Sequence, residues 1–448
     1  MKRRRPIRTG SVQVCFKESR AGLTYQQRTS RRDLPALRRW LWLFLCLSVV
    51  VWQAPDFFRS LYPPRTITFD FYQDWAAGRN FLNGEPIYAD ISLTIERYLG
   101  WRLPDNWPPW FWRVNTHPPP AVLLTLPLAR LDYPDAFLIW NLLSLAALAA
   151  ALWLMVRQFA LRVPAGALLP LAALLLLWYP FRDQVLQGQI NLVLLVMLTI
   201  AWAAQRSGWS WTAGAAVGAA TAIKLFPGLL LVYFILRRQW QVAAAWAATL
   251  IAITAVSAFV LGTQAYSAYL VEVLPSADQW LSHWYNPSLM AFWRKLFDPG
   301  PAGGAITPVW RNPVLARVGG LLACAIVVAI LIWAILRAKS RSDLDHAFGL
   351  AVTAMLLVSP ITWSQNLVLL IIPLTFLWMH PPRSRPERVI LMVVVVILFV
   401  PPHLVWRVLI PGGWPYGVVK PWQTLTGLAF QCYAVLGLFV LQIVRYRG

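Results

Sequence analysis

The sequence predicts an all-α polytopic membrane protein, a bundle of about 12 transmembrane helices with half-helices and re-entrant segments on its outer face. Of its 448 residues, 58% are hydrophobic and only 13% are charged, far outside the range of soluble globular chains. Apolar runs of about 15–24 residues recur between short polar or basic connectors, matching the roughly 20 residues needed to span a bilayer as a helix. No ten-residue alternating pattern competes, which argues against a barrel.

The formal net charge of +22 first suggests nucleic acid, but the Lys and Arg residues cluster in connectors and in the N-terminal tail. Retention of positive loops in the cytoplasm is the simpler cause, and no nucleic-acid partner is expected. Residues 1–39 hold twelve Lys/Arg against Glu18 and Asp33 and read as a flexible cytoplasmic tail near anionic lipid, with residues 40–448 forming the membrane domain. The first apolar run, about Trp40 to Ala54, lacks a small-residue cleavage site and reads as an anchor helix. Cys15, Cys46, Cys324 and Cys432 are scattered without a CxxC pair, so neither zinc nor a disulfide framework is signalled.

An outer segment follows, about 55–117, with seven of the eighteen acidic residues. Its tryptophans Trp75, Trp101, Trp107, Trp110 and Trp112 suit an interfacial belt or, for one or two of them, stacking on a sugar. Within it, Asp70 and Asp74 are four residues apart and share one face if the stretch is helical, with Gly84 and Pro86 closing that helix. This is where acid/base chemistry is best placed, Asp70 first and Asp74 second. Asp74 can orient an acceptor hydroxyl, or it can meet only solvent or Arg79.

Pro118-Pro119-Pro120 then breaks the chain before an apolar run to Leu131 that is too short to span comfortably. Spanning candidates follow at about 135–156, 165–181, 190–204, 211–236 and 240–262. A second outer segment, about 263–312, precedes candidates near 313–336, 346–361, 364–379, 389–406 and 424–444. If 118–131 is re-entrant and 211–236 is broken near Lys224-Pro227, then Arg157, Arg162, Arg206 and Arg237-Arg238 all face the cytoplasm. That threading places Arg182, Gln187-Gly188-Gln189-Ile190-Asn191 and Lys224 on the outer side with Asp70, and both termini in the cytoplasm.

Polar groups in apolar helices are costly and are usually functional or paired. Lys224, inside Ala219–Phe226, needs an anion: a ligand phosphate, or a carboxylate such as Asp183, unless it snorkels to the interface. Gln187, Gln189 and Asn191 open a helix, where amides either hold a sugar or phosphate or simply cap. His117 can donate to a phosphate oxygen or merely sit at the interface.

These motifs resemble glycosyltransferase family 87, the polyprenyl-phosphate-mannose-dependent mannosyltransferases of the GT-C superfamily. The resemblance rests on Asp70-Phe71 with Ala76-Ala77-Gly78-Arg79, Gly84 and Tyr88, and on Pro118-Pro119 with Pro127-Leu128-Ala129. Gly188-Gln189-Ile190-Asn191, Gly218 through Lys224 and Pro227, Asn286-Pro287-Ser288, and Ser359-Pro360-Ile361-Thr362-Trp363 complete the order. It implies a GT-C-type bundle and one catalytic aspartate in the first outer loop, mapping to Asp70. It also implies that one of the histidines common at Gln365-Asn366 holds the donor phosphate. With an amide there, the residues themselves point to Lys224, His117 and Arg182 beside Gln365 for the phosphate, and to Gln187, Gln189, Asn191, Asn286, Ser288 and Trp363 for the sugar or acceptor. Two positions depart from the family's pattern: His117 stands where an aromatic often precedes the prolines, and Gln365-Asn366 where histidines are common.

The expected activity is therefore transfer of a sugar, mannose first, from a polyprenyl-phosphate donor to a lipid or glycan acceptor at the outer face of the cytoplasmic membrane. Inversion at the anomeric carbon is the expected outcome. No cofactor or metal is expected beyond the donor. A lipid-linked sugar flippase or transporter is the alternative, for which broken helices and charges near the membrane midplane also speak. The Asp70/Asp74 pair also keeps a hydrolase conceivable, but a phosphate leaving group needs no proton from an acid, which favours transfer.

Overall fold

The computed structural model describes residues 21–66, 69–102, 114–300, 303–382, 384–412 and 417–444, with side chains from residue 37 onward. Trp107, Trp110, Trp112, Asp105 and Cys15 lie outside these residues. Regular structure among the described residues is helical, apart from one isolated bridge between Ile306 and Val419.

The first helix, Ala21–Leu61, begins within the basic tail, and its portion Leu37–Leu61 is apolar enough to cross a membrane. Tyr133–Gln158, Trp240–Leu261 and Pro313–Arg337 also pass by length and composition. Among the described residues these 4 helices become up to 7 if each bent pair is one span, and together they define an integral membrane protein. Asn191–Arg206, Phe226–Leu236 and Ser364–Met379 are apolar but shorter, and other apolar runs are interrupted. Ala165–Leu177 and Tyr179–Gln187 meet at 71° where Pro180 opens the second helix, and Arg385–Phe399 and Pro402–Leu409 meet at 86° at Pro401-Pro402. Proline lacks the N–H that would continue the ladder, so each run breaks there. Arg341–Val358 is long enough, but Arg341, Asp343 and Asp345 charge its first turns, and Ser340 with Asp343 forms a capping box that starts it.

Two expected interruptions are visible. The run after Pro118 is the seven-residue helix Pro119–Thr125 followed by a 3-10 turn, Leu126–Arg130. The 211–236 run is Ser210–Ile223, then an extended Lys224 (φ −143°, ψ 133°), a 3-10 turn Phe226–Leu229 containing Pro227, and Leu230–Leu236. Before that break, Ser210–Ile223 lies tightly on Trp240–Leu261. A Cβ at Gly214 would stand 2.2 Å from the Val242 carbonyl oxygen, and one at Gly218 2.6 Å from that of Trp246. This small-residue spacing lets two backbones touch, a common solution where hydrophobicity gives no preference for helix over lipid.

An aromatic platform anchors the short helix Phe71–Leu82. The Phe71 ring stacks on Trp140 (5.5 Å, 18°) and meets Phe137 edge-on at 5.8 Å. Such pairs contribute about 1 kcal/mol each beyond the area they bury. Trp75, expected at the interface, is buried instead: its indole N–H donates to the Leu131 carbonyl at 3.1 Å, and its ring packs on Tyr72, Tyr98 and Tyr133.

Candidate active site

Asp70 stands at the N-terminal end of the Phe71–Leu82 helix without a side-chain capping bond, and lines a cavity of about 1250 Å³. Its position is fixed by the Gly188 turn opposite. Gly188 has φ +61°, and a Cβ there would meet Phe137 at 2.7 Å and the Phe71 Cβ at 2.8 Å, so glycine alone lets the two segments touch. Trp140 Nε1 donates to the Gly188 carbonyl at 2.7 Å, and Asn141 Nδ2 donates to that of Val185 at 3.1 Å, holding the turn on the platform.

From that turn Gln189 reaches both ways. Its Nε2 donates to Asp70 Oδ2 at 2.7 Å, while its Oε1 accepts from Lys224 Nζ at 3.0 Å. Gln365 Nε2 also donates to Asp70 Oδ2, at 3.2 Å. Lys224 Nζ has a second acceptor in Asn191 Oδ1 at 3.3 Å, and Asn191 Nδ2 donates to Gln184 Oε1 at 2.9 Å. Gln184 in turn donates to the Gln189 carbonyl, so the relay is tied at both ends. The helix break places Lys224 here, because its extended backbone turns the side chain out of the apolar run.

Two consequences follow from donor and acceptor counting. Both amide bonds to Asp70 fall on Oδ2, and Oδ1 has no hydrogen-bond partner among the described residues. An ammonium has three donors, and two of those on Lys224 are taken by neutral amides, with no ion pair to Asp183 or another carboxylate among the described residues. Asp70 lies outside the spanning helices. Burial raises its carboxyl above the ordinary value, while the Gln189 bond and the nearby His117 and Lys224 hold the shift back.

Asp74 is placed differently. It is buried and is not among the residues lining the cavity. Its two oxygens lie 3.0 and 2.9 Å from His117 Nδ1, and Asn115 Nδ2 donates to Oδ1 at 3.1 Å. Arg79 is engaged elsewhere, donating to the Ala129 carbonyl at 2.8 Å. His117 itself lines the cavity, and its Nε2 has no partner among the described residues.

Arg182, Gln187, Gln189, Lys224, Trp363 and Gln365 line the cavity with Asp70 and His117. Asn286 and Ser288 do not. The Asn286 amide donates to the Pro360 carbonyl at 3.0 Å and accepts from the Thr362 N–H at 3.1 Å, and Ser288 Oγ donates to the Pro360 carbonyl at 2.9 Å. These two brace the Ser359–Trp363 turn that carries Trp363 into the cavity, where its ring packs edge-on to His283 at 4.9 Å. Sequence reasoning passed over Asn115, Gln184, Tyr179, His283, Tyr285 and His403, and weighed Asp183 only as a partner for Lys224. The available signal was the same one that marked Lys224: polar side chains beside or within apolar runs. Among the described residues no group of three or more His, Cys, Asp or Glu is placed to hold a metal ion.

The cavity also has apolar walls, formed by Trp52 and Phe57 of the first helix, by Leu225, Phe226 and Leu229 after the break, and by Val273, Leu274 and Leu404. A helical membrane protein with a chamber that joins a carboxylate, a cation and apolar walls can take a ligand that is polar at one end and apolar at the other. Residues 115–360 match Glycosyltransferase family 87, and the chain belongs to that family.

Among curated proteins it is similar to a polyprenol-phosphate-mannose-dependent alpha-(1-2)-phosphatidylinositol pentamannoside mannosyltransferase of Mycolicibacterium smegmatis. The two are 30% identical over 281 residues, covering 60% of this chain and 62% of the relative. A protein of the same description from Mycobacterium tuberculosis is 29% identical over 322 residues, 68% of each chain. A second M. tuberculosis protein, a polyprenol-phosphate-mannose-dependent alpha-(1-2)-phosphatidylinositol mannoside mannosyltransferase, is 28% identical over 369 residues, covering 76% of this chain and 75% of the relative. No solved structure matches the chain.

Proposed function

We propose that this protein transfers a mannosyl group from a polyprenyl-phosphate donor to a phosphatidylinositol-mannoside acceptor. The carrying observation is the Asp70–Gln189–Lys224 relay, which holds a carboxylate with one uncommitted oxygen beside a cation in a chamber with apolar walls. Asp70 Oδ1 takes the proton from the acceptor hydroxyl as its oxygen attacks the anomeric carbon. The bond from that carbon to the phosphate oxygen breaks, and polyprenyl phosphate leaves with its charge stabilised by Lys224, with His117 Nε2, Arg182 and Gln365 as further donors. A single displacement of this kind inverts the anomeric carbon. The phosphate already carries negative charge and leaves without a protonating acid, so one carboxylate suffices.

The same reading places the chamber at the outer face of the cytoplasmic membrane and both termini in the cytoplasm. Its support is the distribution of arginines, with Arg157, Arg162, Arg206, Arg237 and Arg238 on connectors opposite to residues 182–191. The donor and acceptor classes are those named for the relatives. The test is incubation of the purified protein with radiolabelled polyprenyl-phosphate mannose and phosphatidylinositol mannosides, followed by separation of the glycolipids. A labelled product one mannose longer, absent when the donor is replaced by a nucleotide sugar, is the expected result. Failure to extend any phosphatidylinositol mannoside would overturn the acceptor assignment.

A further inference from the structure

Asp183 is a second buried carboxylate that lines the chamber, and the mechanism above does not use it. It lies on the helix Tyr179–Gln187, one turn before Gln187. The Tyr179 and Gln187 side chains of the same helix line the chamber with it. Gln187 Oε1 accepts the Asp70 backbone N–H at 3.4 Å. That bond ties Asp70 to the helix that carries Asp183, and the two acids line one cavity.

A carboxylate accepts about four hydrogen bonds, and a buried one left short of partners is costly. Among the described residues Asp183 makes no ion pair, and Lys224, the cation considered for it, is held by amides instead. Asp183 lines the cavity, and its carboxylate oxygens accept no hydrogen bond from another helix among the described residues. Two carboxylates lining one cavity repel a phosphate beside them and favour a neutral ligand that donates hydrogen bonds. Neighbouring hydroxyls on one sugar ring have that chemistry.

We propose that Asp183 is a specificity-determining residue: it accepts a hydrogen bond from a non-reacting hydroxyl of the acceptor sugar while Asp70 receives the proton of the reacting one. This deepens the proposed function and rests on its acceptor being a glycan. It assigns Asp183 to recognition rather than to proton transfer, and it places the acceptor ring against the Tyr179–Gln187 helix.

The test uses full-length protein, polyprenyl-phosphate mannose, and a synthetic phosphatidylinositol mannoside with its analogues deoxygenated singly at each hydroxyl of the terminal mannose. In the parent protein, loss of one hydroxyl other than the reacting one should lower kcat/KM at least 10-fold, because a site built to bind a hydroxyl rejects the analogue that lacks it. In Asp183→Ala that penalty should shrink below 3-fold, with KM for the donor unchanged. A penalty that persists undiminished in Asp183→Ala overturns the assignment. If the variant does not fold, the parent series decides: no non-reacting hydroxyl worth more than 3-fold also overturns it. Absence of transfer by the parent to the unmodified acceptor would instead sink the proposed function, and this inference with it.

Discussion

Asp74 and His117 form a closed pair: both carboxylate oxygens lie within 3.0 Å of the imidazole Nδ1, and the carboxylate is buried behind the cavity wall. An ionised carboxylate only accepts, so Nδ1 donates toward Asp74, and Nε2, without a partner among the described residues, donates to a phosphate in the imidazolium form. Asp70, four residues earlier, has the opposite arrangement, with donors on one oxygen and the other oxygen open. Two carboxylates on one short segment thus have different surroundings. In the proposed mechanism Asp74 orients the histidine and Asp70 takes the acceptor proton.

Lys224 is held by two amides that cannot neutralise it, so the account gives it the phosphate of the donor. Lys224→Met should weaken donor binding by roughly 2 kcal/mol, about 30-fold, the scale of a hydrogen bond between charged groups. Acceptor binding should be nearly unchanged. Titration of each substrate into the purified variant checks this, and parent-like donor affinity in a folded variant would make Lys224 a structural residue.

The pH dependence follows from the burial of Asp70. A base must be ionised, and burial raises this carboxyl while Gln189 and the cations hold it down. Transfer should therefore fall as pH drops through a pKa above the ordinary carboxylate value of about 3.9. Gln189→Leu removes the donor that favours the ionised form, so the acid limb of kcat/KM should move to higher pH. An acid limb in the same place in both proteins would show that another group sets it.

Gly188 tests the platform. An alanine there must accept φ +61° and a Cβ 2.8 Å from that of Phe71, so Gly188→Ala should cost about 2 kcal/mol of stability and displace Asp70. Thermal unfolding in detergent should show a lower Tm, and transfer should fall at least 10-fold. Full activity with an unchanged Tm would mean that the two segments separate easily.

Sidedness rests on the arginines and is open to direct measurement. In a background lacking the native cysteines, Gln187→Cys should react with a membrane-impermeant thiol reagent in intact cells, and Ser207→Cys should not. The reverse pattern would overturn the threading.

Part of this site was legible because membrane helices make polar residues conspicuous. Lys224 stands in an apolar run, Pro227 marks the break, and the short stretch after Pro118 cannot span. The partners were not legible. Gln189 meets Asp70 from 119 positions away and His117 meets Asp74 from 43, distances over which no periodicity carries information. Asn286 and Ser288 were recognisable as polar, but only packing reveals that they serve the Pro360 turn instead of the cavity. Composition made Trp75 an interfacial residue, and three tyrosines bury it. The bends were not legible for the same reason: hydropathy counts apolar residues without sensing the breaks at Pro180 and Pro401.

The central claim is that Asp70 is the general base and Asp74 is not, and transfer by Asp70→Asn and Asp74→Asn, each purified and saturated with both substrates, tests it most directly. Asparagine keeps the shape and the amide contacts but removes basicity. Asp70→Asn should bind donor and acceptor as the parent does while transfer falls by roughly 100-fold or more, the usual scale for a lost base, and Asp74→Asn should lose far less. Near-normal turnover in Asp70→Asn, or a larger loss in Asp74→Asn, would contradict the mechanism.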